Sequence, residues 1–132
     1  MLKTNFVFGR KKYGDWLQFW IQDNFEKMNP VYINKTEENL LEKYRNVMEY
    51  INSSGLYPPE SRSEWSNEKC ADPWLIAAAI AHGHTIVSME KPKEISSKHT
   101  KNNSPKIPDV ANYFGVEHIN IFDMMRALKI VL

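Results

Sequence analysis

The sequence predicts an α/β domain with a small central parallel sheet flanked by helices, and three observations carry that reading. The chain has 132 residues, of which 42% are apolar, enough for one core and hardly a second. Its second half alternates helix, strand, helix, strand, helix in pattern, the order that makes a parallel sheet with crossover connections. Residues 70–90, CADPWLIAAAIAHGHTIVSME, run a helix that is apolar on every side directly into an apolar strand, as in elements covered by protein all round. A single domain over residues 1–132 is expected.

At the front, Phe6, Val7 and Phe8 form a candidate short strand. From Asp15 the apolar residues Trp16, Leu17, Trp20, Ile21, Phe25 and Met28 recur at helical spacing, with Asp15 and Gln18 placed as N-cap and capping-box partner. Asn29-Pro30 ends that helix, and Val31 to Ile33 crosses briefly. Thr36 is then expected to cap a second helix with the stripe Leu40, Leu41, Tyr44, Val47, Met48 and Ile51. Glu37 and Glu38 suit the macrodipole of its first turn, and Gly55 suits a left-handed stop after Ser53 and Ser54. Tyr57-Pro58-Pro59 turns into a short helix carrying Trp65.

The buried helix, expected over Pro73 to His82, and the strand Thr85 to Met89 are joined by a tight His-Gly-His turn. Lys91 to Lys106 sets Lys91, Lys93, Lys98, Lys101 and Lys106 against Glu94 alone and reads as a flexible basic loop. Ile107-Pro108-Asp109 opens a helix through Phe114 with Gly115 at its end, and Val116 to Asn120 is a short strand. Asn120 and Asp123 cap a last helix to about Ala127, and Lys129 to Leu132 is read as an edge strand. The stripes Trp16 with Trp20 and Tyr44 with Tyr50 are read as packing positions.

A net charge of +1 gives no global electrostatic pull toward nucleic acid, membrane or acidic partners, so any such contact is local. The single cysteine, Cys70, excludes an intrachain disulfide, and no stretch reads as a signal peptide or membrane span. A soluble cytoplasmic chain with no membrane contact is expected. No Gly-rich phosphate loop, nucleophile elbow or zinc-spaced Cys/His set is present.

The chemistry lies in the acids. Ten helical residues rise about 15 Å and five strand residues about 16 Å. The helix that runs back from the His-Gly-His turn therefore brings Asp72 to the edge where Glu90 leaves the strand, the edge at which open α/β sheets bind ligands. The crossovers start the helices at Asp109 and Asp123 on that same edge, so four carboxylates are expected to converge. Close like charges are tolerated by protonation, hydration or a hard divalent cation such as Mg²⁺ or Mn²⁺. An acid rim with such an ion beside a lysine-rich loop points to phosphodiester hydrolysis on nucleic acid. Structural roles compete for the same residues: Asp72 as N-cap before Pro73, Asp109 and Asp123 as first-turn acids, Glu90 as a solvated strand end. His82 and His84 flank Gly83 at the opposite edge and read as turn residues.

The run ADPWLIAAAIAHGHTIVSMEKP, followed by KIPDVANYFGVEHINIFDMMRAL, resembles the C-terminal half of a PIN-like bacterial family, domain of unknown function 4411. The resemblance is close over Asn52 to Leu128 and extends more weakly to the upstream run EKYRNVMEYINSSGLYPPESRSEW. It implies a PIN-like α/β fold, Mg²⁺ or Mn²⁺ held by a few acids, RNA cleavage, and a toxin-like role with an antitoxin partner. By resemblance Asp72 matches the acid before the buried helix and Glu90 the acid after the next strand, the implied metal ligands. Asp109 lies in the family-like string Lys-Ile-Pro-Asp-Val and joins them as an implied catalytic residue. The front departs from the pattern, since PIN proteins begin with a strand ending in Asp, commonly Asp-Thr-Asn, and carry another acid on the following helix. Here Lys3 stands before Thr4-Asn5, or the chain begins in the family's middle and is truncated. Either reading removes a metal ligand, and a shortened sheet with an apolar edge implies a homodimer or reliance on a partner.

Two functions follow from these readings. One is a PIN-like, toxin-type, metal-dependent ribonuclease using Asp72, Glu90 and Asp109. The other is an inactive or truncated PIN-like module that binds RNA or a protein. A thiol enzyme built on Cys70 is a third reading, which an unchanged Cys70→Ser variant discards.

Overall fold

The structure is a computed structural model that describes residues 33–93 and 103–129, together with residue 23 and the backbone of Phe6–Phe8. The elements are β1 (Phe6–Phe8), α1 (Glu38–Ser53), α2 (Pro59–Ser66), α3 (Asp72–His82), β2 (Thr85–Val87), α4 (Ile107–Tyr113), β3 (His118–Ile119) and α5 (Ile121–Ala127). The helix read from Asp15 to Met28 lies outside the described residues except for Asp23, which is helical. Residues 130–132 of the C-terminal edge strand lie outside them too.

The strands form one parallel sheet in the order β1-β2-β3. Val7 faces Ile86, which faces His118, and Phe8 faces Val87, which faces Ile119. Main-chain bonds from Ile86 N–H to Glu117 and from Ser88 N–H to Ile119 carry the β2–β3 pairing. All three residues of β2 are buried, as the unbroken apolar run Ile86-Val87 requires of a central strand. The sheet and helices confirm an α/β architecture. β2 stops at Val87 rather than Met89, since Met89 is 39% exposed.

The helix expected to be covered all round is covered. Pro73, Leu75, Ile76, Ala77, Ala78 and Ala79 of α3 are buried, and α3 packs most extensively on α1. Alanine supplies both helix propensity and a thin surface, so neighbouring backbones approach closely. On α1 the buried residues Leu40, Val47 and Ile51 are members of the predicted stripe. Val47, Ile51, Trp65, Ile76, Ile86 and Val110 meet in the main core, which joins α1, α2, α3, β2 and α4. Leu40 with Ala77 and Ala78 forms a second cluster, against which Tyr44 and Trp74 stack at 3.9 Å.

The turn at Gly83 sets the direction of β2. Gly83 has φ +69°, a left-handed conformation that a Cβ disfavours, and His84 N–H reaches back to Ala79 O at 3.0 Å. This Schellman-type cap ends α3 and turns the chain onto the sheet within two residues. Gly55 has φ +74° and serves the expected stop after α1.

Two helix starts differ from expectation. Thr36 does not cap α1; its N–H and hydroxyl both donate to Asn34 Oδ1, at 3.1 and 2.6 Å, and Glu37 becomes the N-cap. Asp72 is the first helical residue of α3, with Ala71 as N-cap, so its position is one residue deeper than a cap. The cap at Asn120 is as expected: its side chain accepts Asp123 N–H at 2.8 Å and starts α5.

Candidate functional site

The carboxyl end of β2 leads into a turn organised by its own side chains. Ser88 is 1% exposed, and its Oγ accepts the Glu90 N–H two residues on at 3.3 Å, a local hydroxyl turn that ends strand geometry. Glu90 then reaches across the fold, where its Oε2 accepts the N–H of Ile107, the first residue of α4, at 2.8 Å. In return Asp109, in the first turn of α4, accepts the N–H of Lys93 through Oδ2 at 2.9 Å. The two bonds are reciprocal. An acid after β2 holds the start of α4, and an acid in α4 holds the chain leaving β2.

The Glu90 bond satisfies a donor that α4 leaves unpaired, because the first N–H groups of a helix have no intrahelical acceptor; the Asp109 bond satisfies the N–H of Lys93, which lies outside any helix or strand. Charge on the acceptor strengthens the bond, and carboxylates at a helix start also suit the macrodipole. The segment read as a flexible basic loop is held at both ends. Beyond the Lys93 tie, Asn103 is buried, donates to Leu56 O at 3.3 Å, and accepts the Ser61 hydroxyl at its own carbonyl. Residues 94–102 lie outside the described residues.

His118 completes the neighbourhood. Its Nε2 lies 2.6 Å from Ser88 Oγ, across the β2–β3 pairing. Burial pulls the His118 pKa below the ordinary 6.5, against the opposing pull of the Glu90 and Asp109 charges. Sequence reasoning missed His118 and Ser88. The available signal was a serine buried at a strand end, two residues before an acid.

The other predicted acids have contacts of their own. Asp72 lies beside Cys70, and its main-chain N–H hydrogen-bonds the thiol. Burial, with the Asp72 and Glu64 charges behind it, raises the Cys70 pKa and keeps the thiol protonated, which argues against a reactive thiolate. Asp123 pairs with Arg126 on the solvent side of α5. His82 and His84 sit at the α3–β2 turn as expected, where His82 Nε2 meets Glu37 Oε2 at 3.0 Å. Among the described residues, no group of three or more His, Cys, Asp or Glu side chains is placed to hold one metal ion. Of the four acids expected along one rim, Glu90 and Asp109 are the two that the reciprocal ties bring into one hydrogen-bonded arrangement.

One pH dependence follows directly. His84, like His118, is held below its ordinary pKa, chiefly by burial. The unfolded chain, with histidines near 6.5, then binds protons that the folded chain refuses. Stability is full above about pH 6.5 and falls as pH drops below it, by at most about 1.4 kcal/mol per pH unit for each proton. His84 contributes less than that ceiling because it is only partly buried. Thermal unfolding between pH 7.5 and 5 should show the melting temperature falling, with a shallower fall in His118→Gln. A flat profile would contradict the assignment.

No helix among the described residues is long and apolar enough to cross a membrane. No curated protein and no solved structure matches the chain at a significant level. A family model described as domain of unknown function (DUF4411) matches residues 10–132, reaching well upstream of the stretch that carried the resemblance. With nearly its whole length so matched, and with an α/β framework in place, the chain belongs to the domain of unknown function 4411 family.

Proposed function

We propose that the chain is a PIN-like ribonuclease module of toxin type that cuts RNA phosphodiester bonds with carboxylate-held Mg²⁺ or Mn²⁺, and that a protein antitoxin is its partner. The observation that carries this reading is the reciprocal tie of Glu90 and Asp109 at the outgoing end of a parallel strand, the end where ligands gather in open α/β sheets. The donors are hard carboxylate oxygens, and Mg²⁺ asks one or two such groups of a protein, with water filling the rest of its shell. Glu90 and Asp109 fit that demand as a pair. Asp72 joins them through topology, because α3 turns back at Gly83 and packs on β2.

In this reading Glu90, Asp109 and Asp72 hold the ion, which when bound supplies an activated water and charge stabilisation at the phosphate. The main-chain N–H groups of Ile107 and Lys93 orient the carboxylates before any ligand arrives, which lowers the cost of ordering them. Lys91, Lys93 and Lys106 adjoin these acids in sequence and attract the phosphate backbone.

A second reading is favoured by one specific observation: Lys3 stands before Thr4-Asn5 where the family pattern has an acid. In it the module binds RNA or a protein without cutting. Incubating RNA with the protein and Mg²⁺ or Mn²⁺, with Mn²⁺ binding followed by electron paramagnetic resonance, separates the two. The nuclease reading expects cleavage, and a drop on the order of 10²–10³-fold in Glu90→Gln and in Asp109→Asn with the fold intact. A folded protein that neither binds Mn²⁺ nor cuts RNA establishes the second.

A further inference from the structure

We propose that Ser88 and His118 are positioning residues that fix Glu90 to the sheet, so that the carboxylate is aimed by a hydrogen-bonded chain rooted in β3. The inference rests on the nuclease reading for the use of Glu90, but its geometry stands by itself. Ser88 is 1% exposed, among the least accessible polar groups described. Its Oγ already accepts the Glu90 N–H. A buried hydroxyl also needs somewhere to send its proton, and the acceptor in reach is His118 Nε2 at 2.6 Å. Ser88 therefore donates to Nε2, and the neutral ring of His118 carries its proton on Nδ1.

The relay runs through rigid parts. His118 belongs to β3 and sits opposite Ile86 in the parallel register, while Ser88 follows β2 and donates its own N–H to Ile119 O at 3.1 Å. Both members are thus held by main-chain pairing before their side chains meet. From Ser88 the constraint passes to the Glu90 main chain, and from the Glu90 carboxylate to Ile107 at the head of α4. An apolar residue at position 88 would fill the space yet leave the Glu90 N–H without its acceptor, freeing the turn that aims the acid. Ser88 is not a nucleophile: it is closed to solvent, and its hydroxyl serves this relay.

The test uses the intact chain with Ser88→Ala and His118→Leu, and Ser88→Thr and His118→Gln as conservative counterparts that keep a hydroxyl and an acceptor near the Nε2 position. Ring nitrogen NMR of the unmodified protein is expected to show His118 as the Nδ1–H tautomer; a dominant Nε2–H form would overturn the relay. Amide exchange at Glu90 and Ile107 should accelerate in the two disruptive variants and stay slow in the conservative ones. Mn²⁺ affinity should fall on the order of 10–100-fold in the disruptive variants, as for other groups that orient a ligand. Unchanged exchange at both amides in Ser88→Ala overturns the proposal even if its cleavage rate falls. If the unmodified protein neither cuts RNA nor binds Mn²⁺, the nuclease reading falls, and the tautomer and exchange results still decide whether Ser88 and His118 fix Glu90.

Discussion

Ile76→Ala is expected to lower the unfolding free energy by about 2–5 kcal/mol, the range for truncating a fully buried isoleucine. Ile76 is 0% exposed at the middle of α3 and belongs to the cluster that also holds Val47, Ile51, Ile86 and Val110. The substitution removes packing with α1, β2 and α4 together, because this cluster is where those elements meet. On the C-terminal side Ile76 is followed by Ala77, Ala78 and Ala79, whose short side chains fill little of the space, so much of the cavity stays open. For a domain whose whole stability is of order 5–15 kcal/mol, that loss shifts the urea midpoint sharply with little change in slope. Ile76→Val, which keeps most of the volume, should cost only about 0.5–1.5 kcal/mol. Equal midpoints for the alanine variant and the unmodified protein would show that this core is not the one that holds the fold.

Glu90→Ala should act on structure as well as chemistry. It removes the acceptor of the Ile107 N–H, and Ile107 is buried with 2% exposure at the start of α4. Leaving such a donor unpaired costs about 1–3 kcal/mol, with more where the lost acceptor was charged. Glu90→Gln keeps an oxygen at the same reach and should lose only the charge-assisted part. The two variants therefore separate tether from reaction. In denaturant melts the glutamine variant stays near the unmodified protein and the alanine variant does not, whereas the proposed nuclease reading expects both to fail in RNA cleavage. Equal stability losses would mean that charge rather than the hydrogen bond fixes the head of α4.

Much of the fold was legible because burial writes itself into sequence at short range. The alanine-rich α3 next to Thr85-Ile86-Val87, the stripe of α1, the Pro-Pro entry to α2 and the Asn120 cap each rest on a few adjacent residues. Where a neighbour competed for the same group, local reading failed. Asn34 takes both donors of Thr36, so the cap moved to Glu37. The acids of the site were legible as acids near helix starts and strand ends, but their partners were not. Glu90 and Asp109 bond main-chain groups, which every residue carries and no residue type announces. Ser88 and His118 are 30 positions apart and meet only through the register of a two-residue strand, which hydropathy does not specify.

The reciprocal ties of Glu90 and Asp109 also bear on how such a chain diversifies. With Lys93 and Ile107 each anchored by an opposing carboxylate, and Asn103 donating to Leu56 O, both described ends of the connection from β2 to α4 are pinned to the fold. Doubling the length of a flexible insert costs only about 0.6 kcal/mol in closure entropy. A longer connection between those two ends would therefore leave the carboxylates and the head of the helix behind them in place.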